Sequence, residues 1–363
     1  MNETEIGRAF AASVAAFPPG ETLILSHDDA DGLSSGAILA RALRRSGRTV
    51  RSRLVGRGEN AWSEAMRQEL EQDAPASLIV SDLGLRAQVL CAGTPTVVID
   101  HHVTDLGCGT VAEAVLGLTG YGMADVPTSS LLALWCARGL ADAGMIDAAD
   151  DLLWLAAIGL IGDLGDGGSV FPEFQAAKKA YGITALRKAV SLLNAPRRSA
   201  NGDGGPALAL LEKADGPKAV LSGAHAETES LLAAKREVAE AMEAARKLPP
   251  VVGAELAVIR LHSACQIHPL VAQSWRGRLK DRIVMAANTG FRPGWVHFAA
   301  RTQMDIDLVA FFRAHAPEGA DEHYGNGHKQ ASGGALPIPV WNRFIRDLGF
   351  GPALIVNDMK AAA

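Results

Sequence analysis

The sequence predicts an α/β protein: a doubly wound, mainly parallel sheet domain, joined by a helical linker to a smaller α/β domain. Three observations predict it. Short, continuously apolar runs at residues 22–26, 77–81 and 96–100 have the form of strands covered on both faces. Helical patterns separate the runs, and strand–helix–strand order is that of a parallel sheet with crossover helices. A stretch rich in Pro, Gly, Asn and Asp at residues 195–206 then breaks the pattern before a second set of strands begins. The chain has 363 residues, more than the roughly 250–300 at which single cores stop growing, so more than one domain is expected.

The elements follow in order. Residues 22–26 form the first strand, and residues 36–45 a helix with Ile38, Leu39 and Leu43 on its apolar face. The polar, amphipathic stretch 59–72 is a surface helix leading to the second strand at 77–81, and 96–100 is the third. Helices over 128–139 and 150–161, the latter almost wholly apolar, complete a first domain assigned to residues 1–199. The linker, 200–249, contains an Ala/Glu/Lys/Arg helix at 227–247 that stops before Pro249 and Pro250. The second domain, 250–363, has strands at 256–261, 282–287 and 295–300 and helices at 306–315, 329–333 and 340–348, with Ala361 to Ala363 a frayed tail.

Hydrophobic residues make up 48% of the chain, enough for packed cores and too many for a disordered protein. The longest apolar run, 152–161, is short of the about 20 residues a bilayer requires, so no membrane partner is expected. The acidic N-terminus has no signal-peptide pattern, and Cys91, Cys108, Cys136 and Cys265 lack CxxC spacing. Free thiols and a cytoplasmic location are expected. The net charge of −5 gives no global attraction to nucleic acid, but it is unevenly spread. From residue 250 onward, 12 Lys and Arg stand against 9 Asp and Glu, and the acidic excess lies in the first 249 residues. An acidic half suits cations and a mildly basic half suits phosphates.

Four acidic clusters each end an apolar stretch. Ser26-His27-Asp28-Asp29-Ala30-Asp31-Gly32 follows the first strand. His27, Asp29 and Asp31 lie at i, i+2 and i+4, so extended backbone points all three the same way. Gly32 and Ser34 allow a tight turn into a helix N-terminus, which favours a phosphate. Asp82 ends the second strand, Asp100-His101-His102 the third, and Asp163 the apolar helix, where an unpaired carboxylate is costly. Five Asp and three His at one sheet edge suit two divalent ions sharing a bridging water. Oxygen and nitrogen donors without thiolate favour Mn²⁺, with Mg²⁺ the substitute, over structural zinc.

In order and spacing, these four segments resemble the motifs of the DHH phosphoesterase superfamily. The HxDxDG form of the first is most similar to the archaeal RecJ-like branch. Gly325-Asn326-Gly327-His328-Lys329-Gln330-Ala331-Ser332-Gly333-Gly334 resembles the GGGHxxAAG signature of the DHH-associated domain, so the resemblance covers nearly the whole chain. It implies that His27, Asp29, Asp31, Asp82, His101 and Asp163 are metal ligands, with Asp82 bridging two ions. It implies that Asp100 and His102 orient the site, His102 lying near the scissile phosphate or leaving oxygen. In the second domain it implies phosphate binding by Arg301, Gly325, Asn326, Gly327, His328 and Ser332. The implied chemistry is hydrolysis of a phosphodiester or phosphoanhydride by metal-activated water.

The sequence departs from that pattern at Asn326, where the signature has Gly, and at Ser332, where it has Ala. The OB-type domain of bacterial RecJ nucleases finds no room here, and processive digestion of long DNA is not expected. The expected activity is therefore Mn²⁺-dependent hydrolysis of short single-stranded oligonucleotides or dinucleotides to mononucleotides, in the manner of an exonuclease or oligoribonuclease. Competing readings are a pyrophosphate or polyphosphate hydrolase and a nucleotide-binding sensor without catalysis. Tyr324, beside the Gly-rich motif, is a candidate for stacking a base, and a homodimer is compatible with the sequence. His262, His268, His297, His315 and His323 match no motif and are expected to be structural.

Overall fold

The alternation of β-branched or leucine-rich runs with amphipathic helices folds as that pattern requires. The computed structural model describes residues 1–320 and 324–357, and of His328 only the backbone. His323 and the tail Ala361 to Ala363 lie outside the described residues. Contacts divide the chain into a first unit, residues 1–197 with 202–233, and a second, 198–201 with 234–363.

The first unit runs α1 (Glu3–Ala16), β1 (Glu21–His27), α2 (Ala30–Arg45), β2 (Thr49–Val55), α3 (Glu64–Asp73), β3 (Ser77–Ser81), β4 (Thr96–Asp100), β5 (Gly109–Ala112), β6 (Val115–Thr119) and α4 (Ser129–Asp142). It continues with α5 (Leu153–Leu164), α6 (Pro172–Tyr181), α7 (Ile183–Leu193), α8 (Ala195–Arg198), α9 (Gly205–Lys213), α10 (Pro217–Leu221) and the first turns of α11 (Ala226–Arg246). Its six-stranded sheet has the order β2-β1-β3-β4-β6-β5, parallel throughout except at β5. On β1, Ile24 packs with the core that includes α2, α4 and α5, while Leu23 and Leu25 pack with Met66 and Leu70 of α3 on the other face. Both faces are covered, so the sheet is doubly wound. α1 and α4 cross at Gly7 and Gly139, where a Cβ on Gly139 would lie 2.1 Å from the Gly7 carbonyl oxygen.

β2 does not show in the hydrophobic pattern because it is an edge strand carrying Arg51 and Arg53. Arg51 pairs with Glu21 at 2.9 Å and with Asp73, and Arg53 with Glu59 at 2.6 Å and Glu69 at 3.0 Å. The linker reading of 200–249 is corrected for residues 202–233, which belong to the first unit. Ala207, Leu208, Leu210 and Leu211 of α9, Val220 of α10 and Leu231 of α11 are buried in its main core. Apolar spacing there outweighs the surrounding Gly and Pro.

The second unit contains β7 (Val251–Val252), β8 (Leu256–Leu261), α12 (His268–Arg276), β9 (Ile283–Asn288), β10 (Trp295–Arg301), α13 (Leu308–Ala314), β11 (Asn326–His328), β12 (Ala331–Pro337) and α14 (Ile338–Asp347). Its sheet order is β11-β12-β10-β9-β8-β7, and only β8 and β9 are parallel. One face packs Met285, Phe298, Phe312, Trp341 and Phe344. The helix expected at 329–333 is instead a turn and the start of β12. A Cβ on Gly333 would lie 2.6 Å from the Phe298 carbonyl oxygen, so its two glycines serve close antiparallel pairing with β10. Among the described residues, no helix is long and apolar enough to cross a membrane.

Candidate metal centre

β1, β3 and β4 end at one edge of the first sheet, since their register aligns Ser26 with Ser81 and Ser81 with Ile99. His27 closes β1, Asp82 follows β3, and Asp100 closes β4 ahead of His101 and His102. The extended reading of His27, Asp29 and Asp31 is corrected, because α2 starts at Ala30 rather than residue 36. Asp29 is its N-cap, with Oδ1 accepting from the backbone N–H of Asp31 and Gly32, both at 3.1 Å. Asp31 lies in the first helical turn. The strand-to-helix turn is so tight that a Cβ on Gly32 would sit 2.5 Å from the His27 carbonyl oxygen.

Three sets of side chains converge. His27, Asp29 and Asp82 bring ligand atoms within 4.8 Å of one another, as do Asp31, His101 and Asp163, and Asp82, His101 and His102. In the first set, His27 Nδ1 lies 3.2 Å from Asp29 Oδ2 and 3.5 Å from Asp82 Oδ2. In the second, His101 Nε2 lies 3.2 Å from Asp163, 3.8 Å from Asp31 and 3.4 Å from the other Asp82 oxygen, Oδ1. Asp82 therefore offers a separate oxygen to each histidine. Its φ of 64° is left-handed, a conformation Asp tolerates better than most residues.

α4 and α5 hold the second set. Asp31 is fully buried, yet Oδ2 accepts from the Ser129 N–H at 2.8 Å and Oδ1 from the Ser130 N–H at 3.0 Å, both at the N-terminus of α4. The Ser129 hydroxyl donates to Asp82 Oδ1 at 2.9 Å. Gly159 of α5 leaves no room for a side chain: a Cβ there would lie 2.1 Å from Asp31 Oδ1. Asp163 is in the last turn of α5 and is partly exposed, unlike the apolar residues before it.

The donor set fits a divalent cation. Buried His101 Nε2 faces three carboxylates without a hydrogen bond to any of them, as a lone pair aimed at an ion would. Burial, with the neighbouring charges of Asp82 and Asp163, holds the Asp31 carboxyl well above the usual range. Burial opposes charge on His101 as well, but Asp163 and Asp82 carry it up to about 11. His27 is likewise pulled down by burial and carried up to about 10 by Asp29 and Asp82. Asp82 is pushed up by burial but held below the usual carboxylate range by His101 and His27. The clustered carboxylates draw protons onto both histidines, and two metal ions would supply the same positive charge while displacing those protons from the ligating nitrogens.

Asp100 is fully buried and shapes the neighbouring loop. Its oxygens accept from the N–H of Gly84 and of His102, each at 2.7 Å, and Oδ2 lies 3.2 Å from His102 Nδ1. The bond to Asp100 raises the exposed His102 above its ordinary value. Sequence reasoning missed Asp28, Ser129, Ser130, Gly159 and Arg197. Only Asp28, inside the first cluster, carried a signal. The Arg197 guanidinium lies 3.0 Å from Asp29 Oδ2 and 3.5 Å from Asp28 Oδ1.

The remaining expected site residues lie in the second unit. Register places Arg301, Ala331 and His328 in one row across β10, β12 and β11. The His328 side chain lies outside the described residues. Gly325 and Gly327 have φ of 74° and 138°, and a Cβ on Gly327 would meet the Ala331 carbonyl oxygen at 2.3 Å. Buried Ser332 donates to the Asn326 carbonyl oxygen at 3.0 Å. Arg301 donates to the Ala300 carbonyl oxygen at 2.8 Å, and burial, together with Arg276, lowers its pKa. Tyr324 does not present a face for base stacking. It is buried against Phe298, Phe312 and Phe344, with its hydroxyl donating to the His315 carbonyl oxygen at 3.2 Å.

No family model matches the sequence, and no curated protein does. Among solved structures, the chain is similar to exonuclease RecJ bound to manganese, with a TM-score of 0.70 and 21% identity over 93% of this chain and 92% of that one. It is also similar to Mn²⁺-bound RecJ of Thermus thermophilus, at 0.69 and 20% over 95% of this chain and 53% of that one. The chain thus spans about half the length of the Thermus structure. A third similar structure is the DHH domain of a member of the s1p family of ribosomal proteins, at 0.64 and 14% over 95% and 90%. The fold is that of RecJ and the DHH-domain proteins.

Proposed function

We propose that this chain is a two-cation phosphodiesterase, served best by Mn²⁺ and less well by Mg²⁺, that hydrolyses short single-stranded oligonucleotides or dinucleotides to mononucleotides. The observation that carries this reading is Asp82, whose two oxygens face His27 and His101 separately. His27, Asp29 and Asp82 would hold one ion; Asp31, Asp82, His101 and Asp163 would hold the other. Bound there, such a pair would supply Lewis-acid polarisation of a phosphoryl oxygen and activation of a water at neutral pH. The manganese and magnesium of the similar RecJ structures support the choice of cation.

The remaining residues orient substrate and handle protons. Asp100 fixes His102 through its backbone N–H and through Nδ1, which leaves Nε2 to give a proton to the leaving oxygen. Arg301 and the β11–β12 turn would grip a terminal phosphate. In the strand register only the small side chain of Ala331 stands between Arg301 and His328.

The test is to strip the purified protein of metal, restore Mn²⁺, and offer di- to decanucleotides, cyclic dinucleotides and pyrophosphate. Mononucleotide release that requires Mn²⁺ and disappears in His101→Ala is expected. Orthophosphate from pyrophosphate alone would favour a phosphoanhydride hydrolase. Tight nucleotide binding without cleavage would favour a sensor.

A further inference from the structure

A histidine ligand raises a problem that a carboxylate ligand does not. Its two nitrogens are inequivalent, and the one facing the ion must be free of its proton. At His27 the metal-facing nitrogen is Nδ1, so the proton belongs on Nε2 and needs an acceptor there. Asp28 Oδ1 lies 3.6 Å from Nε2, slightly beyond hydrogen-bond length. The same oxygen lies 3.5 Å from Arg197 Nε, and Arg197 Nη1 lies 3.0 Å from Asp29 Oδ2. Asp29 Oδ2 in turn faces His27 Nδ1 at 3.2 Å. The four side chains form a closed ring in which Nε2 faces Asp28, Nδ1 faces Asp29 as well as Asp82, and Arg197 ties Asp28 to Asp29.

We propose that Asp28 and Arg197 are positioning residues that set the His27 tautomer and thereby the preference of this site for Mn²⁺ over Mg²⁺. Asp28 is nearly buried, with 7% of its side chain exposed, so its charge needs a partner, and Arg197 is that partner. Asp29 Oδ1 is already occupied by two backbone N–H groups, so only Oδ2 is left for the ion, and Arg197 steadies it from outside. Outer partners of this kind orient a ligating imidazole and raise its basicity. A nitrogen donor matters more to Mn²⁺ than to Mg²⁺, which prefers oxygen. This inference rests on the metal reading above but not on the identity of the substrate.

The experiment is calorimetric titration of metal-free protein with Mn²⁺ and, separately, with Mg²⁺. Asp28→Ala should weaken Mn²⁺ binding at one site by about 10- to 100-fold, and Mg²⁺ binding distinctly less. Asp28→Asn keeps the shape and an acceptor oxygen, which secures folding, and should give a smaller loss in the same direction. In the diamagnetic Zn²⁺-loaded protein, nitrogen NMR should find the His27 proton on Nε2. Equal losses for Mn²⁺ and Mg²⁺ would assign Asp28 a merely structural role and overturn the proposal. So would wild-type Mn²⁺ affinity in both variants. A wild-type protein that binds neither metal would sink both this inference and the cation reading. Metal binding that depends on Asp28 without any phosphodiester cleavage would sink only the proposed substrate.

Discussion

Exchanging Asp82 for Asn tests the shared carboxylate. At φ 64° Asn is as well tolerated as Asp, and an acceptor remains for the Ser129 hydroxyl, so Asp82→Asn folds. Without metal, the exchange relieves repulsion from neighbouring carboxylates but also removes a partner of His27 and His101, so each variant's rise is read from its own metal-free midpoint. With Mn²⁺ the difference is large. A ligand at one hundred times its Kd stabilises the folded state by about 2.7 kcal/mol, so two independent sites contribute about 5 kcal/mol. In a folding unit of 150–250 residues each kcal/mol moves the midpoint by about 2–4 °C, which gives a rise of about 10–20 °C for the native chain. Asp82→Asn weakens both ligand sets, and its rise should shrink to about 3 °C or less. Asp163→Asn touches one set only and should keep roughly half the rise. Scanning calorimetry with and without Mn²⁺, at constant ionic strength, reads all three. A native-sized rise in Asp82→Asn would refute the bridging role, and a complete loss in Asp163→Asn would mean one ion rather than two.

Gly159→Ala drives a methyl group against Asp31 Oδ1 and the Ser130 hydroxyl, at 2.1 and 2.0 Å. Mn²⁺ affinity should fall about tenfold or more although no proposed ligand is altered; unchanged affinity by titration would contradict so close a packing of α5 on Asp31. Gly139→Ala forces α1 and α4 apart and should cost about 1–3 kcal/mol in urea unfolding. An unaltered unfolding midpoint would show that the two helices do not cross so closely. Arg301→Ala removes a charged hydrogen-bond donor worth about 1.5–3 kcal/mol, hence a roughly 10- to 100-fold higher KM for oligonucleotides at nearly constant kcat. A reduced kcat at unchanged KM would move Arg301 out of substrate binding.

The parts of the site lying at strand ends were legible in the sequence. A continuously apolar run has one way to enter a covered parallel sheet, and its first polar residues then mark the carboxyl edge. His27, Asp82, Asp100 and His101 were read at that edge on that basis, and the structure places them there with β1, β3 and β4. Asp29 and Asp31 were assigned to the site on the wrong backbone. Alternation suggested a strand, whereas capping of α2 by Asp29 put them on a turn and in a helix. β2 was invisible because its arginines are satisfied by carboxylates rather than by burial. Arg197, Ser129 and Gly159 could not be found by any local rule. Arg197 and Ser129 are far from the acidic motifs along the chain, and Gly159, one helical turn before Asp163, meets Asp31 and Ser130 only through the packing of α5 on α2 and α4.

That packing explains how so many carboxylates are held together in the folded chain. Asp29 Oδ1 accepts two backbone N–H groups, Asp31 accepts one on each oxygen, and Asp100 accepts those of Gly84 and His102. These bonds fix the rotation of each side chain while leaving lone pairs unused. Ordering a side chain on binding costs about 0.5–1.5 kcal/mol, and here much of that ordering is already present in the folded chain. The N–H groups on Asp29 and Asp31 come from the N-termini of α2 and α4, whose dipoles also favour negative charge. A buried group such as Asp31 can then stay close to two other carboxylates, with the helix ends offsetting part of the repulsion; the proposed cations would offset the rest. Cation affinity at the proposed centre would thus be set as much by the helix starts at Ala30 and Ser129 as by the six proposed ligands, which is why a substitution as small as Gly159→Ala should reach the cation.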